Sequence, residues 1–341
     1  MSLPAFIDRL LPAPKEGGFR MDAYWVWCGS PIRAEEDGRY HLFASRWPKK
    51  TPFDPFFLTD SEIVRASSDT PTGPYRFEEV ILGRRGEEFW DGKTVHNPTI
   101  HRCPITGTYL LYYAGTTFPG EGVMGGTYFT EPFATARTNL RIGLATSPSV
   151  FGPWTRRDRP IFDIRPGKWD GMQMSNPAPC VLPDGSVYLA YKGVAGAKTI
   201  FRYGMVCASR FDAPYERISD GPVFDFGPNE HVEDAYLWHE NGLFNILMKD
   251  MHGGITGEHH AGLHATSQDA IHWTVGKSCK AYSRRVAWDD GTVTVQGSLE
   301  RPQLLIENGR PTHLFAATAD GPGGFQNALN SWNMVLPLRP V

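Results

Sequence analysis

Six carboxylates stand where they could do acid–base chemistry: Asp22, Asp91, Asp170, Glu233, Asp234 and Glu300. Asp91 and Asp170 share one phrase, Trp90-Asp91-Gly92 and Trp169-Asp170-Gly171, each six residues ahead of an Asn-Pro pair, Asn97-Pro98 and Asn176-Pro177. Asp22 lies beside Tyr24, Trp25 and Trp27, and Glu233 and Asp234 are consecutive in His231-Val232-Glu233-Asp234. Two carboxyl groups whose surroundings drive their pKa values apart can share one reaction. The protonated group donates to a leaving oxygen, while the ionised group attacks or activates water from the opposite face, and cleavage of a glycosidic bond needs that pairing. A third charge or hydrogen bond commonly holds one member up or down.

Polar residues recur at corresponding points: Ser30, Asn97, Asn176, Glu233 and Arg301, each followed by proline except Glu233, which is followed by Asp234. Any one of them could cap a strand or a turn. As a convergent set they are costly to dehydrate unless something binds among them. Lys192 and Lys249 end matching segments, Tyr191-Lys192-Gly193 and Met248-Lys249-Asp250. With Arg301 they suit an anionic or strongly hydroxylated sugar, a uronic acid or a sulfated sugar among them. Trp25, Trp27 and Trp47 offer an apolar platform for a sugar ring, Trp47 above all because Arg46-Trp47-Pro48-Lys49-Lys50 reads as an exposed loop; core packing is the competing reading.

The elements that must position these residues come in five copies. The second copy runs from Trp90-Asp91-Gly92 through His96-Asn97-Pro98 to Tyr109-Leu110-Leu111-Tyr112-Tyr113-Ala114-Gly115, and the third repeats it from Trp169 to Gly193. Weaker copies begin at Gly29-Ser30-Pro31, Val232-Glu233-Asp234 and Glu300-Arg301-Pro302. Further signatures follow in four of the copies, such as Ile142-Gly143-Leu144-Ala145-Thr146-Ser147 and then Gly152-Pro153-Trp154. Equivalent positions are roughly 57 to 79 residues apart, room for about four short strands, the length of a propeller blade with variable loops. The expected fold is an all-β, five-bladed β-propeller of four-stranded antiparallel blades, one domain over residues 1–341. Gly 36 and Pro 28 supply its turns, and no Ser/Gly-rich linker divides it.

The same sequence argues against other classes. A net charge of −3 with no basic stripe gives nucleic acid no footing. No run of about 18 apolar residues is present to span a membrane. GxSxG, HExxH, P-loop and dinucleotide-binding motifs are absent. Cys28, Cys103, Cys180, Cys207 and Cys279 are scattered and odd in number, as free thiols of a reducing compartment would be. With no secretory pattern at Met1-Ser2-Leu3-Pro4, a cytoplasmic location is expected, or a periplasmic or secreted one if a leader has been removed. The segment with His252, Glu258, His259, His260 and, just beyond, His264 reads as a Gly-rich loop over the channel rather than a metal site.

The repeats and ring residues resemble the five-bladed propeller glycoside hydrolases, the group holding family 43 (arabinofuranosidases and xylosidases), family 32 (invertase-like enzymes) and family 117 (neoagarobiose hydrolases). The resemblance covers about Asp22 to Phe315. In family 43 it implies a first-blade Asp-Pro base, a later Asp that tunes pKa, a Glu acid that Glu233 matches, and inversion. Ser30 and Asn176 stand where the two Asp would be, so base and modulator do not carry over. Asp22, Asp91 and Asp170 are the replacements on offer, Asp22 first, because an Asp-Gly turn with a Trp packed between blades explains the recurrence of the other two equally well. Family 117 resemblance points to a histidine acid, and His96 and His231 are near ring positions; substrate binding is the role favoured for both. Some related propellers carry a calcium ion in the channel, for which spacing assigns no ligands here, and no cofactor is otherwise required.

These readings converge on a hydrolase releasing a terminal sugar, a furanoside or modified pyranose, from a plant or algal oligosaccharide. Expected catalytic residues are Glu233, Asp22, Asp91 and Asp170; expected substrate contacts are His96, Asn97, Asn176, Lys192, His231, Arg301 and Trp47. The alternatives are a carbohydrate-binding propeller without catalysis and a phosphorylase resembling family 130.

Overall fold

Five antiparallel sheets form the blades of a closed propeller in the computed structural model, which describes residues 5–321 and 323–340. Blade I holds β1 (Tyr24–Arg33), β2 (Tyr40–Pro48), β3 (Glu62–Ser68) and β4 (Arg76–Leu82). Blade II holds β5 (Thr94–Arg102), β6 (Tyr109–Thr116), β7 (Arg141–Ser147) and β8 (Thr155–Arg156). In blade III are β9 (Gln173–Val181), β10 (Val187–Val194), β11 (Arg202–Ala208) and β12 (Glu216–Arg217). Blade IV follows with β13 (Val232–Glu240), β14 (Leu243–Asp250), β15 (Gly262–Ser267) and β16 (Trp273–Tyr282). A hairpin of β17 (Arg285–Ala287) and β18 (Val293–Val295) leads to blade V, made of β19 (Ser298–Glu307), β20 (Arg310–Ala319) and β21 (Ser331–Pro337). Two short helices, α1 (Phe57–Asp60) and α2 (Phe133–Thr138), sit in connections.

Burial follows the blade geometry. β6 is buried at every residue because both of its faces meet neighbouring blades, whereas the outer strand β4 is mostly exposed. The second strand β6, YLLYYAGT, accordingly reads as a near-continuous apolar run rather than a strict alternation. Each blade pair closes over its own apolar cluster. Phe43 and Ile63 meet Leu111 and Tyr113 between blades I and II; Leu305 and Phe315 of blade V meet Val26 and Leu42 of blade I, which shuts the ring. Blade V has three strands of its own, and its outer edge is completed by the N-terminal stretch: Phe19 and Asn333 exchange backbone hydrogen bonds at 2.8 and 3.0 Å. Tying the chain's two ends into one blade removes the open edge that a sheet would otherwise expose.

Every inner strand carries the same bulge, two residues facing one on the neighbouring strand. The breaks fall after Trp27 in β1, His96 in β5, Ser175 in β9, Glu233 in β13 and Glu300 in β19. The next residue is left-handed in each case: Cys28, Asn97, Asn176, Asp234 and Arg301, with φ between 52° and 59°. Asn and Asp tolerate that conformation best, and they hold it in three of the five blades. The sequence-based ring needs two corrections. Cys28, not Ser30, is the blade I member, because Gly29 takes the place that proline has elsewhere; Ser30 lies two residues on and bridges blades, donating to Gln303 (2.9 Å) and accepting from the Ile100 amide (3.1 Å). Asp234, not Glu233, is the blade IV member, and Glu233 belongs one residue earlier, level with His96, Ser175 and Glu300.

Candidate functional site

Both bulge residues of blades II to V and Trp27 of blade I, together with the loops joining second and third strands, enclose one cavity of about 320 Å3. Its walls are largely aromatic: Trp27 and Trp47 from blade I, Phe53 and Phe57 from the β2–β3 connection, Tyr128 from the β6–β7 insertion, Phe201 from blade III and Phe325 from blade V. The β6–β7 insertion is held against α1 by Phe57, Leu58, Phe118, Tyr128 and Ala136, so this wall is packed rather than draped. The Gly-rich loop after β14 is also fixed, because the Asp250 carboxylate accepts from the amides of His252, Gly253, Ile255 and Thr256. His260 of this loop lines the cavity.

The floor is a daisy chain around the five blades. The Cys28 thiol donates to Asn97 Oδ1 (2.8 Å), Asn97 Nδ2 to Asn176 Oδ1 (2.7 Å), Asn176 Nδ2 to Asp234 Oδ1 (3.0 Å), and the Arg301 amide to Asp234 Oδ2 (3.4 Å). Above it lies an ionic cluster built by blades III, IV and V. Register places Lys192 opposite Ser175 and Lys249 opposite Glu233, the same point in successive blades. Lys249 Nζ spends its three donors on three carboxylates, Glu233 Oε2 (3.1 Å), Asp234 Oδ2 (3.1 Å) and Glu300 Oε2 (2.7 Å). Lys192 Nζ adds a 2.5 Å contact to Glu233 Oε1.

Those contacts drive the two glutamates apart. Burial alone would push Glu233 up, but Lys192 and Lys249 outweigh it and hold the carboxyl well below the ordinary range. Burial raises Glu300, and the neighbouring Asp234 and Glu233 add to the shift against the pull of Lys249. Glu300 Oε1 is buried with no hydrogen-bond partner. One carboxyl is thus held in its ionised form and the other is shifted toward its protonated form, with a free oxygen at the cavity.

Of the residues expected from sequence, Glu233, His96, Asn97, Asn176, Lys192, Arg301 and Trp47 line the cavity. Glu233 is not suited to be the acid, since two ammonium groups stabilise its ionised form. His96 is not an acid either: burial, with Arg301 and Lys192 nearby, pushes its pKa down to about 3, so it is a neutral ring bonded through Nδ1 to Ser61 at 2.8 Å. His231 is set back from the cavity, edge-on to Phe201 and His252. Trp47 is fully buried on β2 rather than on a loop, its indole N–H donating to the Phe53 carbonyl (3.1 Å).

Three expected catalytic residues lie elsewhere. Asp22 is exposed ahead of β1. Asp91 is fully buried between Arg85 and Arg156 and accepts from the Tyr113 hydroxyl at 2.7 Å; Asp170 repeats this with Arg165, Arg217 and Tyr191. Trp90 and Trp169 stack on those tyrosines, so Trp-Asp-Gly is a blade-packing motif. Its glycine is required, because a Cβ on Gly92 would lie 1.6 Å from the Gly86 carbonyl oxygen. Asp91→Ala removes the buried carboxylate shared by two partly buried guanidinium groups and the Tyr113 hydroxyl, and is expected to cost about 3 kcal/mol in urea unfolding. A loss under about 1 kcal/mol would contradict this structural role.

Asp234 and Glu300 stood among the candidate carboxylates and Lys249 beside Lys192, but none of the three was carried into the expected catalytic or contact residues, and the sequence held no signal for Phe53, Tyr128, Phe201 and Phe325. The first three were findable from register, one bulge position apart; the aromatics come from connections of differing length that share no phrase. The cluster does not fit calcium. Its three convergent carboxylates already surround the Lys249 ammonium, and Arg301 brings a second cation against Asp234 (3.6 Å). Among the described residues no group of three or more His, Cys, Asp and Glu is disposed to hold a metal ion.

No family model and no curated protein matches the chain. Solved structures do. A glycoside hydrolase aligns over 98% of this chain and 93% of its own with a TM-score of 0.69 at 14% identity. A family 117 glycoside hydrolase from the marine bacterium Zobellia galactanivorans aligns over 97% and 89% (TM-score 0.66, 16% identity), and the catalytic domain of the Coprinopsis cinerea family 62 α-L-arabinofuranosidase over 98% and 98% (TM-score 0.63, 14% identity). At such identities the likeness is one of architecture, and the chain carries the five-bladed propeller fold that glycoside hydrolases of families 117, 62 and 43 also have.

Proposed function

We propose that this protein is a glycosidase that takes the terminal sugar of an oligosaccharide into the cavity and cleaves its glycosidic bond with Glu300 as proton donor and Glu233 as the ionised carboxylate. The observation that carries the reading is the opposed environments of these two glutamates, joined through Lys249 under aromatic walls. The cavity also holds buried polar atoms without partners, Thr94 Oγ1 from blade II, Gln173 Oε1 and Ser175 Oγ from blade III, and Glu300 Oε1 from blade V. Buried polar groups in native proteins are satisfied, so such a set is what a polyhydroxylated ligand would complete. A volume near 320 Å3 is at the small end for ligand pockets, which favours one terminal unit over an internal stretch of chain. The acid–base step uses carboxyl groups of the protein and calls for no cofactor.

A second reading, a binding propeller without catalysis, has its own support. Blades I to III bring Trp27, Cys28, His96, Asn97, Ser175 and Asn176 to the bulges, so acids enter only from blades IV and V. Screening aryl furanosides and pyranosides alongside calorimetric titration with oligosaccharides separates the readings. Release of the aryl group, abolished by Glu233→Gln, supports the glycosidase; affinity without release supports the binding protein. Turnover that depends on added phosphate would instead mark a phosphorylase.

A further inference from the structure

The Arg301 guanidinium is the least explained group in the cavity. Its side chain is 2% exposed, it lines the cavity, and none of Nε, Nη1 and Nη2 has a hydrogen-bond partner. Its nearest carboxylate, Asp234 Oδ1, stands at 3.6 Å, beyond good hydrogen-bond range, and Asp234 already receives Lys249 and Asn176. A buried cation left so is costly unless a partner arrives.

Charge bookkeeping agrees. With Glu300 protonated, as a proton donor must be, three cations (Lys192, Lys249 and Arg301) face two carboxylates, Glu233 and Asp234. Arg137, a fourth cation, lines the opposite wall over the Tyr128 ring, with its own Nε buried and unpartnered. The donors of Lys249 are spent on protein oxygens, whereas the planar fork of Arg301 has the Cys28 sulfur beside it and no oxygen within hydrogen-bond range, and that fork matches a carboxylate bidentately.

Resting on the glycosidase reading, we infer that the sugar held in this cavity carries a carboxylate, a uronic acid unit, whose anionic group docks on Arg301. Neutral sugars would leave the guanidinium desolvated with only its long contact to Asp234, so the site selects against them as well as for uronates. Sulfated sugars and inorganic phosphate can also meet an arginine fork through two oxygens, so the test sets them against the uronates.

The test is calorimetric titration of the wild-type protein at low ionic strength with glucuronate, galacturonate, mannuronate and guluronate, each paired with its neutral hexose, and with inorganic sulfate and phosphate. At least one uronate is expected to bind ten-fold or more tighter than its neutral parent and than either inorganic anion. Arg301→Met should erase that preference, and Arg301→Lys, which keeps the charge and loses the fork, should recover only part of it. Equal binding of uronates and neutral hexoses by the wild type overturns the inference without any variant having to fold, as does phosphate or sulfate binding as tightly as the best uronate. Uronate binding with no uronide cleaved would refute the glycosidase reading and leave this inference standing; cleavage of neutral glycosides without uronate affinity would do the reverse.

Discussion

Glu233→Gln is expected to lower kcat/KM by about 1,000-fold or more for every substrate the protein cleaves, while Glu300→Gln should cost about 100- to 10,000-fold only when the leaving group is a sugar alcohol. The asymmetry follows from the proposed roles. An alkoxide leaves poorly and needs the Glu300 proton, whereas 4-nitrophenolate leaves readily without one, so the Glu300 variant should regain most of its rate on nitrophenyl glycosides. No leaving group replaces a missing negative charge at the sugar carbon, and Glu233→Gln should stay inactive on both. The pH profile gives a second readout. Because burial raises Glu300, the wild-type rate should hold above the ordinary glutamate range and then fall as pH rises through the elevated value, a limb that Glu300→Gln should lack. On the acid side Glu233 stays ionised far below the ordinary range, held by Lys192 and Lys249, so its protonation should not limit the rate in moderately acidic buffer. Equal damage from both variants on sugar and nitrophenyl leaving groups alike would remove Glu300 from the role of acid.

The propeller was legible because its repeats are long and punctuated. Asn97-Pro98 and Asn176-Pro177 mark left-handed bulge positions, and the same backbone event recurs in all five blades. What misled was the reliance on proline as the marker. Blade I has Gly29 and blade IV has Ala235 at that point, so the phrase slips by two residues at Ser30 and by one at Glu233. At the bulge the slip changes the role rather than the face, because Glu233 and Asp234 both reach Lys249 while only Asp234 joins the floor chain through Asn176. Repetition also drew attention to Asp91 and Asp170, where identical surroundings signalled a shared packing problem rather than shared chemistry. Glu300 was the converse case: it opens only a weak copy of the phrase, and its importance comes from lying level with Glu233 across a blade boundary. Contacts of that kind span about seventy residues of chain and depend on ring closure, which periodicity within a blade does not encode.

The largest stability effect is expected from Lys249→Met. The side chain is 3% exposed and its ammonium is the hub for Glu233, Asp234 and Glu300. Methionine fills similar volume, so the change tests charge rather than packing. Removing one partner of a buried ion pair typically costs about 3–5 kcal/mol, because the remaining charges stay desolvated. Here the remaining charges repel one another as well. The pH dependence has a definite sign. Wild-type Glu233 has a depressed folded pKa, so its contribution is present above the unfolded value of about 4.3 and is lost as pH falls through the folded one. Lys249 is shifted upward, so its contribution is complete below the unfolded value of about 10.4 and fades only far into the alkaline range. In the variant the three carboxyls can shed their repulsion by taking up protons. The gap in unfolding free energy between wild type and Lys249→Met should therefore be widest near neutrality and narrow as pH falls toward about 4.3, where carboxyls begin to protonate. Lys192→Met should do less at every pH, since Glu233 keeps Lys249 as a partner. A Lys249→Met gap that stayed constant from neutral to acidic pH would show that the lysine stabilises by packing alone, and the ionic hub assigned to it would have to be abandoned.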